Sequence, residues 1–264
     1  RNRPYRPCSS CGCGCGCTSP PLTQALAQRY SAPMSATPAP LELLPAAGPA
    51  LQLMILLHGV GATPQDLLPL ARLLQQQFPQ AACVLPHGHE PFDGGPAGRQ
   101  WFSVLGVTEA NRPQRVAAAL PALIGFIRST QQRLGVGSAA TALVGFSQGS
   151  IMALEALAQE SDLAGRVLAF AGRYATLPTQ APQRCSVHFF HGSADPVIPA
   201  DHARQALERL AELDGDATLD IAEGLGHGID AALAESALLR LTRHVPKRMW
   251  REAMGASSLP PDNT

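Results

Sequence analysis

The serine in the run Gly145-Phe-Ser-Gln-Gly149 is the residue of this sequence best placed to act as a nucleophile. The run fits the G-x-S-x-G pattern, in which a sharp strand-to-helix turn exposes the serine hydroxyl. A hydroxyl is a weak nucleophile until a neighbouring base removes its proton. The apolar run 139–146 predicts a buried strand and the run 150–158 predicts a helix, which is the setting that the turn requires. We therefore expect Ser147 to be a nucleophile.

Two later loops carry the side chains that a serine nucleophile needs. Asp195 follows a predicted strand at 186–190, and His227 follows a predicted strand at 217–222. Because the carboxyl ends of parallel strands meet at one edge of a sheet, the three loops should come together there. His227 would take the proton of Ser147, and Asp195 would hold the other ring nitrogen and stabilise the imidazolium. The chain order serine, aspartate, histidine is that of the α/β-hydrolase triad.

The loop after the first long strand, Leu57-His58-Gly59-Val60-Gly61, could stabilise the oxyanion that such an attack creates. Its glycines allow backbone N–H groups to face a substrate. We assign the donors as the backbone N–H groups of Val60 and Gln148, each typically worth about 3 kcal/mol of transition-state stabilisation. His58 and His191, each followed by glycine, are interpreted as residues that organise their loops rather than as second bases.

Candidate substrate-binding residues lie near these loops. Trp101 and Phe102 stand in a loop rich in glycine and proline, where they could wall an acyl pocket or equally anchor the loop itself. Weaker candidates are Val197 and Ile229, which follow the loops that carry the acid and the histidine. The histidines of the chain lack the spacing of a metal site, so no metal is expected.

The elements that must position these residues alternate between strand and helix. Strands are predicted at 51–57, 81–85, 139–146, 166–170, 186–190 and 217–222, and helices at 65–77, 116–134, 148–159, 201–213 and 230–244. This alternation indicates a mainly parallel sheet with helices on both faces, and the continuously apolar strands agree with burial on both faces. Because no repeat or linker interrupts the pattern, we expect a single α/β domain over residues 41–250.

The composition is that of a globular protein without an obvious macromolecular partner. The chain has 264 residues, of which 45% are hydrophobic and 15% charged, and its formal net charge is zero. No basic patch stands out, so nucleic acid is not expected as a partner. No run of about 18 apolar residues occurs, so no membrane span is expected. The expected partner is a small-molecule substrate, and a homodimer is left open.

The cysteines divide into two groups. Five of the seven crowd into residues 8–17, where a metal or disulfide knot would be one interpretation. No histidine accompanies these cysteines, which mostly alternate with glycine, so we instead predict that residues 1–40 are a disordered or misassigned extension, with the natural start at Met34. Residues 251–264 are predicted to be a disordered tail. Cys83 and Cys185 are expected to be buried thiols in a reducing cytoplasm.

Five segments together resemble the phospholipase/carboxylesterase family of α/β-hydrolases. They are Leu57-His-Gly-Val-Gly61, Arg99-Gln-Trp-Phe102, Gly145-Phe-Ser-Gln-Gly-Ser150, His191-Gly-Ser-Ala-Asp-Pro-Val197 and Gly226-His-Gly-Ile229. The resemblance runs from about residue 51 to 245, and segments 98–104, 151–155 and 172–174 make it strongest to the bacterial YpfH-type esterase branch. It implies the α/β-hydrolase fold and a serine esterase without metal or organic cofactor. It also implies Ser147, Asp195 and His227 as the triad, with the Val60 and Gln148 amides as the oxyanion hole.

Two departures from the common family pattern bear on the substrate. Ser150 follows the elbow where the family often has a second glycine, and Gly172-Arg173-Tyr174 stands where acyl-protein thioesterases usually carry Ser-Gly. Arg173 could favour a substrate with an acidic group or form a surface ion pair. From the ordered triad and the loop at 58–61 we expect a cytoplasmic serine carboxylesterase that cleaves short to medium acyl esters through an acyl-enzyme. The alternatives are a lysophospholipase or acyl-thioesterase and, more remotely, a non-catalytic binding module of the same fold.

Overall fold

A computed structural model of the chain describes residues 38–255. The strands are β1 (Leu41–Leu43), β2 (Gln52–Leu57), β3 (Ala81–Leu85), β4 (Glu90–Pro91), β5 (Arg99–Gln100), β6 (Thr141–Phe146), β7 (Arg166–Phe170), β8 (Ser186–Gly192) and β9 (Asp216–Ala222). The α-helices are α1 (Leu68–Gln77), α2 (Arg112–Leu134), α3 (Gln148–Gln159), α4 (Asp201–Glu212), α5 (Ala231–Arg243) and α6 (Lys247–Ala253). The predictions for residues 1–37 and 256–264, which include the cysteine-rich run and Met34, lie outside the described residues.

Seven strands form one sheet in the order β1-β3-β2-β6-β7-β8-β9. All neighbouring pairs from β3 to β9 are parallel, and only β1 at the edge runs antiparallel to its neighbour. The prediction of a mainly parallel sheet is therefore confirmed. Neither β1 nor the small β4–β5 ribbon was predicted, because strands of two or three residues are too short to show a hydrophobic period.

Helices cover both faces of the sheet, as the apolar strands predict. In β2, Leu53, Ile55 and Leu57 belong to a core that also includes side chains of α2, α3 and α4. Met54 and Leu56 face the opposite way, into a second core shared with α1 and α5. Because successive strand residues point to opposite faces, a strand buried on both sides must be apolar throughout. This α/β architecture thus forms one domain over the described residues.

The helices differ most from the predictions at α2 and at α6, which was not predicted. Helix α2 begins at Arg112, four residues before the predicted start, because Pro113 fits the first turn, where its missing N–H is not needed. Helix α6 runs to Ala253, so helical structure continues past the boundary predicted at residue 250. Among residues 38–255, no helix combines the length and hydrophobicity required to cross a membrane.

Candidate active site

The elbow at Ser147 is a strained turn between β6 and α3. Ser147 has φ 53° and ψ −115°, a backbone conformation that residues other than glycine rarely adopt and that costs about 1–3 kcal/mol. Its own N–H donates to the carbonyl of Phe170 in the neighbouring strand β7, at 2.9 Å. The sheet therefore holds the turn in place and compensates for its strain.

The two glycines of the motif are required by close backbone approach. A Cβ at position 145 would lie 2.5 Å from the Gly149 carbonyl oxygen. A Cβ at position 149 would lie 2.0 Å from the carbonyl oxygen of Leu57 in β2. Since real Cβ atoms do not approach oxygen this closely, any larger residue at either place would push the helix α3 away from the sheet.

Ser150 and Gly172, the two departures from the common family pattern, touch each other. The Ser150 hydroxyl lies 2.7 Å from both the Gly145 and the Phe170 carbonyl oxygens. A Cβ at position 172 would lie only 2.1 Å from the Ser150 Cβ. The serine at position 150 therefore requires a residue without a Cβ at position 172, so the two departures are coupled by packing.

The structure brings the three predicted side chains together at the carboxyl edge of the sheet. The Nε2 atom of His227 lies 2.9 Å from the Ser147 hydroxyl oxygen, and its Nδ1 atom lies 2.7 Å from Asp195 Oδ2. Because a carboxylate only accepts hydrogen bonds, Nδ1 carries the proton, and Nε2 of the neutral ring is free to accept from Ser147. Ser147 is 6% exposed, so its hydroxyl is shielded but reachable.

Asp195 is held as a carboxylate by four groups around its two oxygens. Oδ1 accepts from the amides of Val197 and Ile198 at 2.8 and 3.0 Å, while Oδ2 accepts from His227. The Nε2 atom of His191 lies 3.3 Å from the same Oδ2. Burial alone would raise the pKa of Asp195, but the bonds from His227 and the two amides outweigh it and hold the pKa below its ordinary value.

The loop after β2 lies against the elbow. A Cβ at position 59 would lie 3.4 Å from the Ser147 Cβ. Among residues 38–255, neither the Val60 nor the Gln148 backbone N–H has a hydrogen-bond partner. Gln148 is the first residue of α3, where helical amides have no acceptor within the helix. These are the two amides predicted from the sequence to bind an oxyanion.

His58 holds this loop with both ring nitrogens. The ring is fully buried, Nδ1 donates to the Gly59 carbonyl at 2.7 Å, and Nε2 accepts from the Gly88 amide at 2.9 Å. Burial lowers the pKa of His58, so the ring stays neutral. The Trp101 indole N–H donates to the His58 carbonyl at 2.8 Å. His58 is placed as an organiser of its loop, the role interpreted for it from the sequence.

The Gln148 side chain connects the elbow to the aromatic loop, a contact that the sequence did not reveal. Its Oε1 atom accepts from the Trp101 amide at 2.9 Å, and its Nε2 atom donates to the Phe102 carbonyl at 2.8 Å. Together with the indole bond to His58, these contacts join the elbow and the oxyanion loop through one tryptophan. We refer to Gln148, Trp101 and His58 as the aromatic brace.

The remaining pocket candidates lie in different environments. Trp101 and Phe102 are buried in the core, only 1% and 4% exposed, which fits the alternative that they anchor their loop. Val197 is 63% exposed, and Ile229 is half-buried against the second core. Within the described part of the chain, no cluster of three or more histidine, cysteine or acidic side chains is arranged to bind a metal.

Arg173 is engaged in ion pairs. Its guanidinium binds both carboxylate oxygens of Glu109, at 3.1 and 2.7 Å, and lies 3.1 Å from His202 Nε2. Arg112 binds the same carboxylate, and these bonds lower the pKa of Glu109 to about 2. Arg173 therefore joins the loop after β7 to the segment before α2, and of the two interpretations made from the sequence the contacts match the ion pair.

Comparison with known proteins agrees with this geometry. Residues 41–244 match the Phospholipase/Carboxylesterase family. The chain is 48% identical to esterase YpfH of Escherichia coli (strain K12) over 206 residues, which cover 78% of this chain and 88% of that protein. It is 28% identical to acyl-protein thioesterase 1 of Gibberella zeae over 208 residues, which cover 72% of this chain and 88% of that protein. The crystal structure of esterase PE8 superposes with a TM-score of 0.73 and 29% identity, covering 78% of this chain and 99% of that one. The chain therefore belongs to the phospholipase/carboxylesterase family of α/β-hydrolases.

Proposed function

We propose that this protein is a serine carboxylesterase that hydrolyses short to medium acyl esters through an acyl-enzyme. The observation that carries the proposal is the continuous chain of hydrogen bonds from Ser147 through His227 to Asp195. The named esterase relatives make an ester bond the first choice of substrate.

In the first half of the reaction, Ser147 Oγ attacks the acyl carbon while His227 Nε2 takes its proton. Asp195 stabilises the imidazolium that forms, because its carboxylate lies 2.7 Å from the Nδ1 proton. The amides of Val60 and Gln148 donate to the oxyanion. His227 then gives its proton to the leaving alkoxide, and the alcohol departs to leave the acyl-enzyme. In the second half, water attacks the acyl carbon while His227 Nε2 takes its proton. The bond between the acyl carbon and Ser147 Oγ then breaks, His227 gives the proton to Ser147 Oγ, and the carboxylic acid leaves.

The acyl group is proposed to lie against aliphatic side chains rather than against the aromatic pair. Val60 and Val197 are 36% and 63% exposed and stand in the loops that carry the oxyanion donor and the triad acid. Ile229 follows the histidine loop. We expect these aliphatic side chains to suit short to medium acyl chains. Because Arg173 is already paired with Glu109, we assign it to holding the loops and not to binding an acidic group.

The proposal is tested with p-nitrophenyl butyrate and a fluorophosphonate probe on the wild type, Ser147→Ala and Ser129→Ala. Ser129 is an exposed serine on α2 and serves as the matched control. Loss of the nucleophile should lower kcat by about four orders of magnitude or more and abolish labelling, whereas the control should behave as the wild type. Equal rates for Ser147→Ala and the wild type would refute the esterase mechanism, and absence of labelling in a folded sample would favour a non-catalytic binding module.

A second candidate is an acyl-thioesterase or lysophospholipase, which the acyl-protein thioesterase relative favours. Both reactions use the same attack on an acyl carbon and differ in the leaving group. Matched oxygen esters and thioesters of two to twelve or so carbons would separate them, because the ratio of kcat/KM between the series does not depend on how well the preparation folds. A preference for long-chain thioesters would replace the leading proposal.

We further propose a cytoplasmic location and leave assembly to a direct measurement. Cys83 and Cys185 are both free and buried, and burial raises the pKa of each thiol to about 12, as suits a protein that forms no disulfide between them. Cell fractionation tests the location. Light scattering on the purified protein tests whether a homodimer forms.

A further inference from the structure

His191 is a buried imidazole that touches the triad without belonging to it. It lies near the end of β8, four residues before Asp195, and both side chains are fully shielded from solvent. Its Nε2 atom is 2.7 Å from the Ile198 carbonyl oxygen and 3.3 Å from Asp195 Oδ2. Both neighbours are acceptors, so Nε2 must carry the proton.

The other ring nitrogen makes the protonation state unambiguous. Nδ1 of His191 is buried and has no hydrogen-bond partner within residues 38–255. Protonating it would place a charge and an unpaired donor where the side chain is shielded from solvent, which is unfavourable. Burial correspondingly lowers the pKa of His191. The ring is therefore a neutral donor through Nε2 alone.

This donor acts on both oxygens of the triad carboxylate. By holding the Ile198 carbonyl, it fixes the turn whose amides at Val197 and Ile198 bind Oδ1. By lying 3.3 Å from Oδ2, it places a positive N–H dipole beside the oxygen that accepts from His227. A carboxylate bound by only the Val197 and Ile198 amides could rotate about its Cβ–Cγ bond. The two contacts of His191 add restraints at Ile198 and at Oδ2 that favour one orientation of the carboxylate.

We propose that His191 is a positioning residue for Asp195, which fixes the carboxylate oxygen that faces His227 and tempers its charge. This inference rests on the proposed esterase function. It assigns to the side chain a role in the reaction without contact with the substrate.

The side chain offers a discriminating set of variants. His191→Phe keeps a ring of similar size and removes the donor, while the unpartnered Nδ1 position loses nothing. His191→Gln places an amide N–H near the position of Nε2, and His191→Asn places it near Nδ1, so only glutamine should restore the contact. His188→Phe is the matched control, because His188 is also fully buried in β8 and contacts Thr218 at 2.8 Å rather than the triad.

We expect His191→Phe to lower kcat by about tenfold with little change in KM, since misplacement of a catalytic group acts on the chemical step. Removing the N–H dipole leaves more negative charge facing His227, which favours the imidazolium, so the acid limb of kcat/KM should move to higher pH. The titratable groups around His191 are Asp195, His227 and, on α4, His202, which lies beside Arg173. His191→Gln should restore both kcat and the acid limb, and His191→Asn should not.

Wild-type rates and pH profile in His191→Phe, or the same changes in His188→Phe, would overturn the inference. If His191→Phe does not fold, the difference between the Gln and Asn variants decides, and equal behaviour of the two counts against it. A readout independent of turnover is the downfield proton NMR signal of the His227 Nδ1 proton, which should shift in His191→Phe only. Absence of Ser147 labelling in the wild type would instead refute the proposed function, whatever this signal shows.

Discussion

The aromatic brace predicts that one side-chain amide supports both stability and catalysis. Replacing Gln148 by methionine keeps the length of the side chain and removes its donor and acceptor. The amide of Trp101 and the carbonyl of Phe102 would then lose their partners at 2.9 and 2.8 Å while staying buried. The cavity around the side chain would remain filled, so the effect isolates the hydrogen bonds.

The magnitude follows from the two orphaned groups. Each buried group left without a partner costs about 1–3 kcal/mol, so Gln148→Met should lower the free energy of unfolding by about 2–6 kcal/mol. This is a large part of the 5–15 or so kcal/mol that typically stabilises a domain. Because one oxyanion donor is worth about 100- to 1,000-fold in kcat, loosening the Gln148 amide should cost about 10- to 100-fold.

Urea unfolding and p-nitrophenyl butyrate kinetics measure the two effects on the same samples. Gln131→Met is the matched control, since Gln131 is also buried and its amide binds the Thr141 hydroxyl at 3.0 Å and the Leu163 carbonyl at 2.9 Å, neither of which belongs to the elbow. It should lose stability and keep kcat. Loss of stability in Gln148→Met with unchanged kcat would refute the link to the oxyanion hole, and unchanged stability would refute the brace itself.

Two further predictions concern pH and backbone contact. Burial raises the pKa of Glu155 although the Ala175 amide binds its carboxylate, so the charged form weakens the fold as pH rises through that pKa. Glu155→Gln should therefore raise the urea midpoint at about pH 8, with no gain below about pH 4, where the side chain is neutral in both states; an equal gain at both pH values would contradict this. Gly149→Ala should lower the free energy of unfolding by about 1–3 kcal/mol or more and lower kcat, because its Cβ would meet the Leu57 carbonyl oxygen. Gly125→Ala is the control: its Cβ would meet nothing within 4 Å, so it should raise the free energy of unfolding by about 0.5–1 kcal/mol. A stable, active Gly149→Ala would show that the contact can relax.

The sheet and the elbow could be predicted because their signals are local. The apolar run of β2 is buried on both faces and therefore shows in the sequence as a continuous hydrophobic stretch. Gly145, Ser147 and Gly149 lie within one turn, so the spacing of these residue types in the sequence indicates the geometry of the turn. The placement of Asp195 and His227 followed from a general rule about where parallel strands end.

Contacts between distant residues could not be predicted in this way. Gln148 and Trp101 are 47 positions apart, and a glutamine amide beside a peptide group leaves no periodic pattern. The role of His191 depends on a nitrogen 3.3 Å from Asp195, which spacing alone does not fix. The contact between Ser150 and Gly172 joins two loops, so the sequence shows two separate oddities where the fold has one.

The brace also gives the protein an optical signal of its own. Trp101 and Trp250 are the two tryptophans of the chain, and they are 1% and 60% exposed. The indole of Trp101 is shielded from water, so its fluorescence emission should lie at shorter wavelength than that of an exposed tryptophan and should resist aqueous quenchers. Its ring centroid lies 5.4 and 5.5 Å from those of His58 and His89. Once a quencher silences Trp250, the remaining fluorescence reports on the oxyanion loop alone, and ligand binding there becomes visible without any label.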